Sequence, residues 1–265
     1  MFDRVLLKKR AKQVMKTAFF PLFAAVVVQF VSSNAITVLM SEIVRILSVL
    51  PGIAPYMPQI VLFIAALLIS VFFYAPLIVG TTKLVLDVSR GKPADYTAIL
   101  TPFKKENYFS IVKAMSVRML ISQLMSELMS IITRLYIFVY VNKRLPALPS
   151  TLPQYSYSLA ALVFAALGIF LTYKSFEYFL IEYIVADDYS IKLSDALRKT
   201  KNYMKGNKLA TLILAFSLIG WYFLGALAFM VGIIFVQVYM QAIIAQLYFE
   251  LSGEHNIIHS TCEDV

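Results

Sequence analysis

Apolar residues fall into six runs, at about 17–40, 59–80, 107–141, 157–184, 209–227 and 229–251. Each meets the ~20 mostly apolar residues that a membrane-spanning helix needs. The pattern predicts an all-α polytopic membrane bundle: a domain over 1–253 with six transmembrane helices and short basic amphipathic helices on one side, then a tail over 254–265. Pro21 sits in the first turn of the first run, where its missing N–H costs little. The second run continues as helix to Arg90, and Gly91 and Pro93 stop it. The last two runs are joined by almost nothing, which predicts a tight antiparallel hairpin.

The polar intervals carry their own helix signals. Ser194 reads as an N-cap, Asp195 suits the first turn, and Lys201 and Lys205 suit the last. Gly206 then supplies a left-handed stop. Ala196, Leu197, Thr200, Tyr203 and Met204 share one face. Lys192, Arg198, Lys199, Lys201 and Lys205 lie elsewhere, placed to contact anionic lipid headgroups. A similar short helix is expected over 38–50, ended by Pro51 and Gly52.

The helix ends also resemble one another. The second run closes as Asp87-Val88-Ser89-Arg90-Gly91, the sixth as Glu250-Leu251-Ser252-Gly253, and the fourth as Ala186-Asp187-Asp188. Three two-span hairpins of common design, each led in by a basic segment, fit this pattern. Any two-span unit with basic flanks would show the same features.

Composition and charge agree with a membrane protein. Of 265 residues, 60% are hydrophobic and 15% charged, against about 45–50% and ~25% in soluble domains. The net charge of +9 suggests basic segments flanking spans rather than a nucleic-acid partner. The N-terminal segment carries six Lys and Arg, the second–third connection five and the fourth–fifth six. The other side carries only Arg45, Lys143 and Arg144, so both termini are expected in the cytoplasm. The basic N-terminus is followed by a span-length apolar run without a small-residue cleavage site, and reads as a retained first span.

Ionisable groups inside spans are expensive and mark candidate sites. Counting 1.5 Å per residue from the outer ends puts Glu127 ~21 Å deep and Lys174 ~27 Å deep, with Arg118 and Glu177 at ~34 Å and ~32 Å. If the third and fourth spans pack as neighbours, Glu127 can pair with Lys174, and Arg118 with Glu177. Gln123, Ser126, Ser130 and Arg134 lie near Glu127 at helical spacing. The sixth span adds Gln237 and Gln241, which must face protein or water. Gln123, Glu127, Arg134, Lys174, Glu177, Gln237 and Gln241 thus form a candidate polar seam. It serves either interhelical hydrogen bonding or a hydrated solute path. Ser32, Ser33, Asn34 and Thr37 in the first span have the same two readings. His255, His259 and Cys262 have helical spacing for a metal, but their short acidic tail lacks a fourth ligand. The single cysteine leaves no internal disulfide. No H-E-x-x-H, G-x-S-x-G, Walker A or Rossmann pattern occurs, so neither a cofactor nor an enzymatic reaction is expected.

One further signal is a resemblance. Tyr183-Ile184-Val185-Ala186-Asp187-Asp188, Met204-Lys205-Gly206-Asn207-Lys208 and Ile219-Gly220-Trp221 resemble a bacterial integral membrane family, domain of unknown function 975. The opening Lys9-Arg10-Ala11-Lys12-Gln13-Val14-Met15-Lys16 and the turn Val88-Ser89-Arg90-Gly91-Lys92-Pro93 are similar to the same family. The resemblance implies six spans and a bacterial cell membrane, but no catalytic or binding residues. Two functions therefore stand side by side. One is a non-enzymatic binding, scaffolding or protective component, meeting lipids and a membrane protein partner or its own copy. The other is a transporter or channel subunit for a small solute or peptide, using the seam between the third, fourth and sixth spans.

Overall fold

A computed structural model of the chain describes residues 2–49, 57–142, 162–163, 166–170, 173–227 and 231–254. Of the described residues 89% are helical and none is in a strand. Helix α1 (Arg4–Thr17) is capped by Asp3, whose carboxylate accepts the backbone N–H groups of Val5 and Leu6. After a break at Ala18 the chain continues as α2 (Phe19–Val49). Next come α3 (Met57–Ile69), a π-helical turn (Ser70–Tyr74) and α4 (Ala75–Ser89). Two 3-10 turns (Tyr96–Ile99 and Thr101–Phe103) lead into α5 (Lys105–Asn142). The chain ends with α6 (Ile181–Asp187), α7 (Leu193–Met204), α8 (Lys208–Leu227) and α9 (Val231–Ser252).

Among the described residues, five helices are long and apolar enough to cross a membrane: Phe19–Leu47, Ile60–Ser89, Lys105–Arg134, Lys208–Leu227 and Gly232–Ser252. The expected run at 157–184 is described at 162–163, 166–170 and 173–184, and no helix there is among these five. Its described end is broken by a 3-10 turn at Phe176–Tyr178 ahead of α6. The separate helix expected over 38–50 is instead the last third of α2, which is unbroken to Val49. The stretch 17–49 contains no glycine, and its one proline, Pro21, sits in the first turn of α2, so nothing interrupts the backbone ladder. Helix α7 begins two residues earlier than its polar signals suggest, with Lys192 rather than Ser194 at the N-cap. Asp188 closes the preceding turn instead, accepting from the amide and hydroxyl of Ser190.

The buried core centres on α4, α6 and α9, with Val85, Leu86, Ile184, Val185, Ala245 and Leu247 at most 2% exposed. Around it the short elements repeat one packing rule. α1 lies on α9, the two 3-10 turns lie on α4, and α7 lies on α6. Each short element therefore covers a different one of these three core helices. Gly91 and Gly253, with φ of 81° and 80°, end α4 and α9 in the same left-handed geometry, which only glycine adopts cheaply. α8 and α9 run antiparallel. A Cβ on Gly225 would lie 2.9 Å from the Gly232 carbonyl carbon, so this hairpin packs backbone on backbone.

Candidate functional site

The site begins with a proline. Pro76 lacks the N–H that would bond the Phe72 carbonyl one turn earlier. The helix passes this gap through the π turn, where the Ala75 N–H reaches back to Ser70. The Tyr108 hydroxyl, from α5, donates to the Phe72 carbonyl at 2.8 Å. Inserted π turns recur at functional positions because they re-aim side chains. This one contributes Tyr74 to a cavity between α2, the π turn and α9.

That cavity has a volume of about 220 Å³ and is lined by Val26, Gln29, Phe30, Ser33, Tyr74, Ile233, Ile234 and Gln237. Its polar groups are all neutral. Beside it, three helices share one hydrogen-bond chain. Gln241 Nε2 donates to Gln29 Oε1 at 2.6 Å, and Gln29 Nε2 donates to Thr81 Oγ1 at 2.6 Å. Thr81 then donates to the Ile78 carbonyl of its own helix at 2.9 Å. Gln241 is only 8% exposed, and its Oε1 has no donor among the described residues. A buried acceptor left so costs about 1–3 kcal/mol. On the other side of the cavity, Gln237 accepts from the Tyr222 hydroxyl at 2.8 Å.

Toward the end of the bundle where α4 and α9 terminate, the polar groups become charged. Arg90 donates to Asp187 at 2.7 Å and to both carboxylate oxygens of Glu254 at 3.0 and 2.9 Å. Its guanidinium lies 5.1 Å from the Phe249 ring centre, and Asp87 is 3.8 Å away. Burial alone would lower the Arg90 pKa, but hydrogen bonds and charge from Glu254 and Asp187 outweigh it and raise it. The Tyr248 hydroxyl adds a bond to Asp187 at 3.1 Å. Arg10 of α1 pairs with Glu250 at 3.1 Å. The neutral cavity and the charged cluster are separated by the packed turns of α9 between Gln241 and Tyr248, where Ala242, Ile243, Ala245 and Leu247 are at most 1% exposed.

The similar helix endings now have a common meaning: each brings a carboxylate to one shared end of the fold. Residues 1–255 match the family described as Protein of unknown function (DUF975). The chain belongs to this family. No curated protein and no solved structure matches it.

In this DUF975 protein the seven residues of the expected seam do not meet at one place. Gln237 and Gln241 lie at the cavity and its glutamine chain. Glu177 pairs with Lys208 at 2.5 Å and with Lys174 at 3.7 Å. Arg118 pairs with Glu182, so neither expected pairing, Glu127–Lys174 or Arg118–Glu177, is formed. The 3-10 turn at Phe176–Tyr178 ends the uniform helical rise that those depths assumed. Gln123 and Glu127 are half-buried and Arg134 is exposed on α5, and none of the three is bonded to another described side chain. Ser33 lines the cavity, and Ser32, Ser33, Asn34 and Thr37 all donate to carbonyls of their own helix.

The five basic residues assigned to headgroups all lie exposed on or beside α7, while Ala196, Thr200 and Met204 are buried. Lys201 sits 5.6 Å over the Tyr178 ring and Arg198 pairs with Asp195 at 3.2 Å. The tail with His255, His259 and Cys262 lies outside the described residues. Gln29, Tyr74 and Thr81 join the site without having stood out in the sequence. A lone glutamine in an otherwise apolar run was the available signal for Gln29, and Pro76 was the signal for the turn that carries Tyr74.

Proposed function

We propose that this DUF975 protein is a non-enzymatic, multi-pass component of the bacterial cell membrane with both termini in the cytoplasm. It holds a small neutral polar solute in the cavity of Gln29, Ser33, Tyr74 and Gln237. The observation that carries this reading is the shared glutamine chain, Gln241 to Gln29 to Thr81, beside a cavity whose polar lining is uncharged. Amides and hydroxyls pair with either a donor or an acceptor, so the lining suits solutes carrying both. At about 220 Å³ the cavity is smaller than the 300–1,000 Å³ typical of drug-sized ligands, and equals about seven waters' share of liquid volume. The exposed lysines and arginines of α7 rest on anionic headgroups, giving the orientation.

Passage of the solute across the membrane is the second reading, favoured by the placement of the Arg90 cluster beyond the same packed core. Proteoliposome swelling with glycerol, urea and acetamide tests it. Entry of any of them faster than into empty liposomes, and slowed in Gln29→Leu, supports passage. Rates equal to empty liposomes for all three remove passage and leave a binding role.

A further inference from the structure

A second cavity, on the far side of α9 from the glutamine chain, has an almost wholly carbon lining. It has a volume of about 190 Å³ and is formed by Lys12, Met15, Phe19, Trp221, Phe235, Val236 and Tyr239. Four elements meet there: α1, α2, α8 and α9. The aromatic wall is built by contact, with Phe19 stacked on Phe235 at 5.7 Å and Trp221 edge-on to Tyr239 at 6.3 Å. Trp221 and Phe235 remain 47% and 48% exposed, so the groove is open to whatever surrounds the bundle.

Lys12 is the one charged residue of the lining. Lys8 and Lys16 lie one turn before and after it on α1, on the same face. None of these three amines pairs with a carboxylate among the described residues. Arg10, by contrast, is held by Glu250 at 3.1 Å. An apolar aromatic groove beside three unpaired ammonium groups matches an amphiphile with a hydrocarbon chain and a negative head. Surface lysines attract anionic lipid, and a carbon-lined groove adds the chain contacts that a flat basic surface lacks.

We infer that the groove between α1, α2, α8 and α9 is a binding site for one anionic diacyl phospholipid, its acyl chain against Phe19, Trp221 and Phe235 and its phosphate at Lys12. The site is distinct from the α7 headgroup face and independent of the solute cavity. Choline headgroups fit it less well, because their quaternary ammonium meets Lys8 and Lys16.

The chain has one tryptophan, and it lies in the groove, so its emission reports occupancy directly. The full-length protein is reconstituted in phosphatidylcholine bilayers containing increasing fractions of acyl-brominated phosphatidylglycerol or acyl-brominated phosphatidylcholine. Half-maximal quenching is expected at about a fivefold lower mole fraction of the brominated phosphatidylglycerol. The difference should shrink in 1 M salt, where the screening length falls to about 3 Å. The triple variant Lys8→Gln, Lys12→Gln, Lys16→Gln should follow the phosphatidylcholine curve with both lipids. Coincident curves for the two lipids in the wild type would show ordinary boundary lipid and overturn the inference, with no variant required. A preference that persists in the triple variant would overturn the assignment to Lys12.

Discussion

Gln241 and Gln29 are 212 positions apart in the chain, yet their side-chain amides are joined at 2.6 Å. The bond ties α9 to α2, and Thr81 extends it to α4. Inside a membrane the alternative to such a bond is an unsatisfied polar group in hydrocarbon, although measured gains are modest. Replacing Gln241 with Leu leaves Gln29 Oε1 without its donor, and replacing Gln29 with Leu deprives both neighbours. The double variant removes both ends at once. A double-mutant cycle on unfolding in detergent is expected to give a favourable coupling of about 0.6–1.7 kcal/mol. Strict additivity would mean that the two amides do not share a bond.

Gly80 is fixed by a carbonyl. A Cβ at this position would lie 2.2 Å from the Ile99 backbone oxygen, an overlap that no rotamer relieves. Gly80→Ala should push the 3-10 turn 96–99 off α4 and cost about 1–3 kcal/mol, as overpacking does. Gly220→Ala, where nothing lies within 4 Å of the added carbon, is the matched control and should be neutral or slightly stabilising. Thermal unfolding of the two variants in the same detergent separates these outcomes.

Arg90 serves two carboxylates at once, Asp187 and Glu254. Arg90→Gln leaves them unpaired at a position where the arginine side chain is only 12% exposed, and should lower stability by about 2–3 kcal/mol. Arg90→Lys should rescue only part, because a single ammonium cannot reproduce the guanidinium fork. Full rescue by lysine would show that charge alone matters there.

Asp188 gives a pH prediction. The Ser190 hydroxyl bond lowers its pKa most, burial opposes this as the next-largest effect, and the Ser190 amide and Lys199 lower it further, leaving a net depression. A carboxylate depressed in the folded state stabilises above its unfolded value, 3.8, and loses that contribution as pH falls through the depressed value. Asp188 is exposed, so the effect is a few tenths of a kcal/mol. The stability gap between wild type and Asp188→Ala should stay constant above about pH 5 and close in acid. A gap that widens in acid would contradict the assignment.

Much of this fold can be read from the chain because apolar run length determines helix length directly. The five membrane-length helices, the left-handed stops at Gly91 and Gly206, and Gln237 and Gln241 as polar side chains that must find partners all follow from local sequence. The partners do not. Gln29 meets Gln241, Arg90 meets Glu254, and Lys208 meets Glu177 through the packing of elements distant in sequence, which periodicity does not encode. Depth counting failed where the helix failed: the 3-10 turn at Phe176–Tyr178 displaces Glu177 from Arg118 and gives Glu182 that role. The likeness among the three helix endings was the one long-range signal present, and the Arg90 cluster is its physical counterpart.

Hydration of the polar cavity at Gln29, Ser33, Tyr74 and Gln237 can be read by chemical access. Ser33→Cys in a Cys262→Ser background places the only thiol on the cavity wall, and a small hydrophilic thiol reagent is applied to intact membranes. Labelling is expected at a rate well above that of Ala25→Cys, whose position is fully buried, with slowing by molar acetamide. A thiol at Ser33 that reacts no faster than one at Ala25, and only after denaturation, would contradict it.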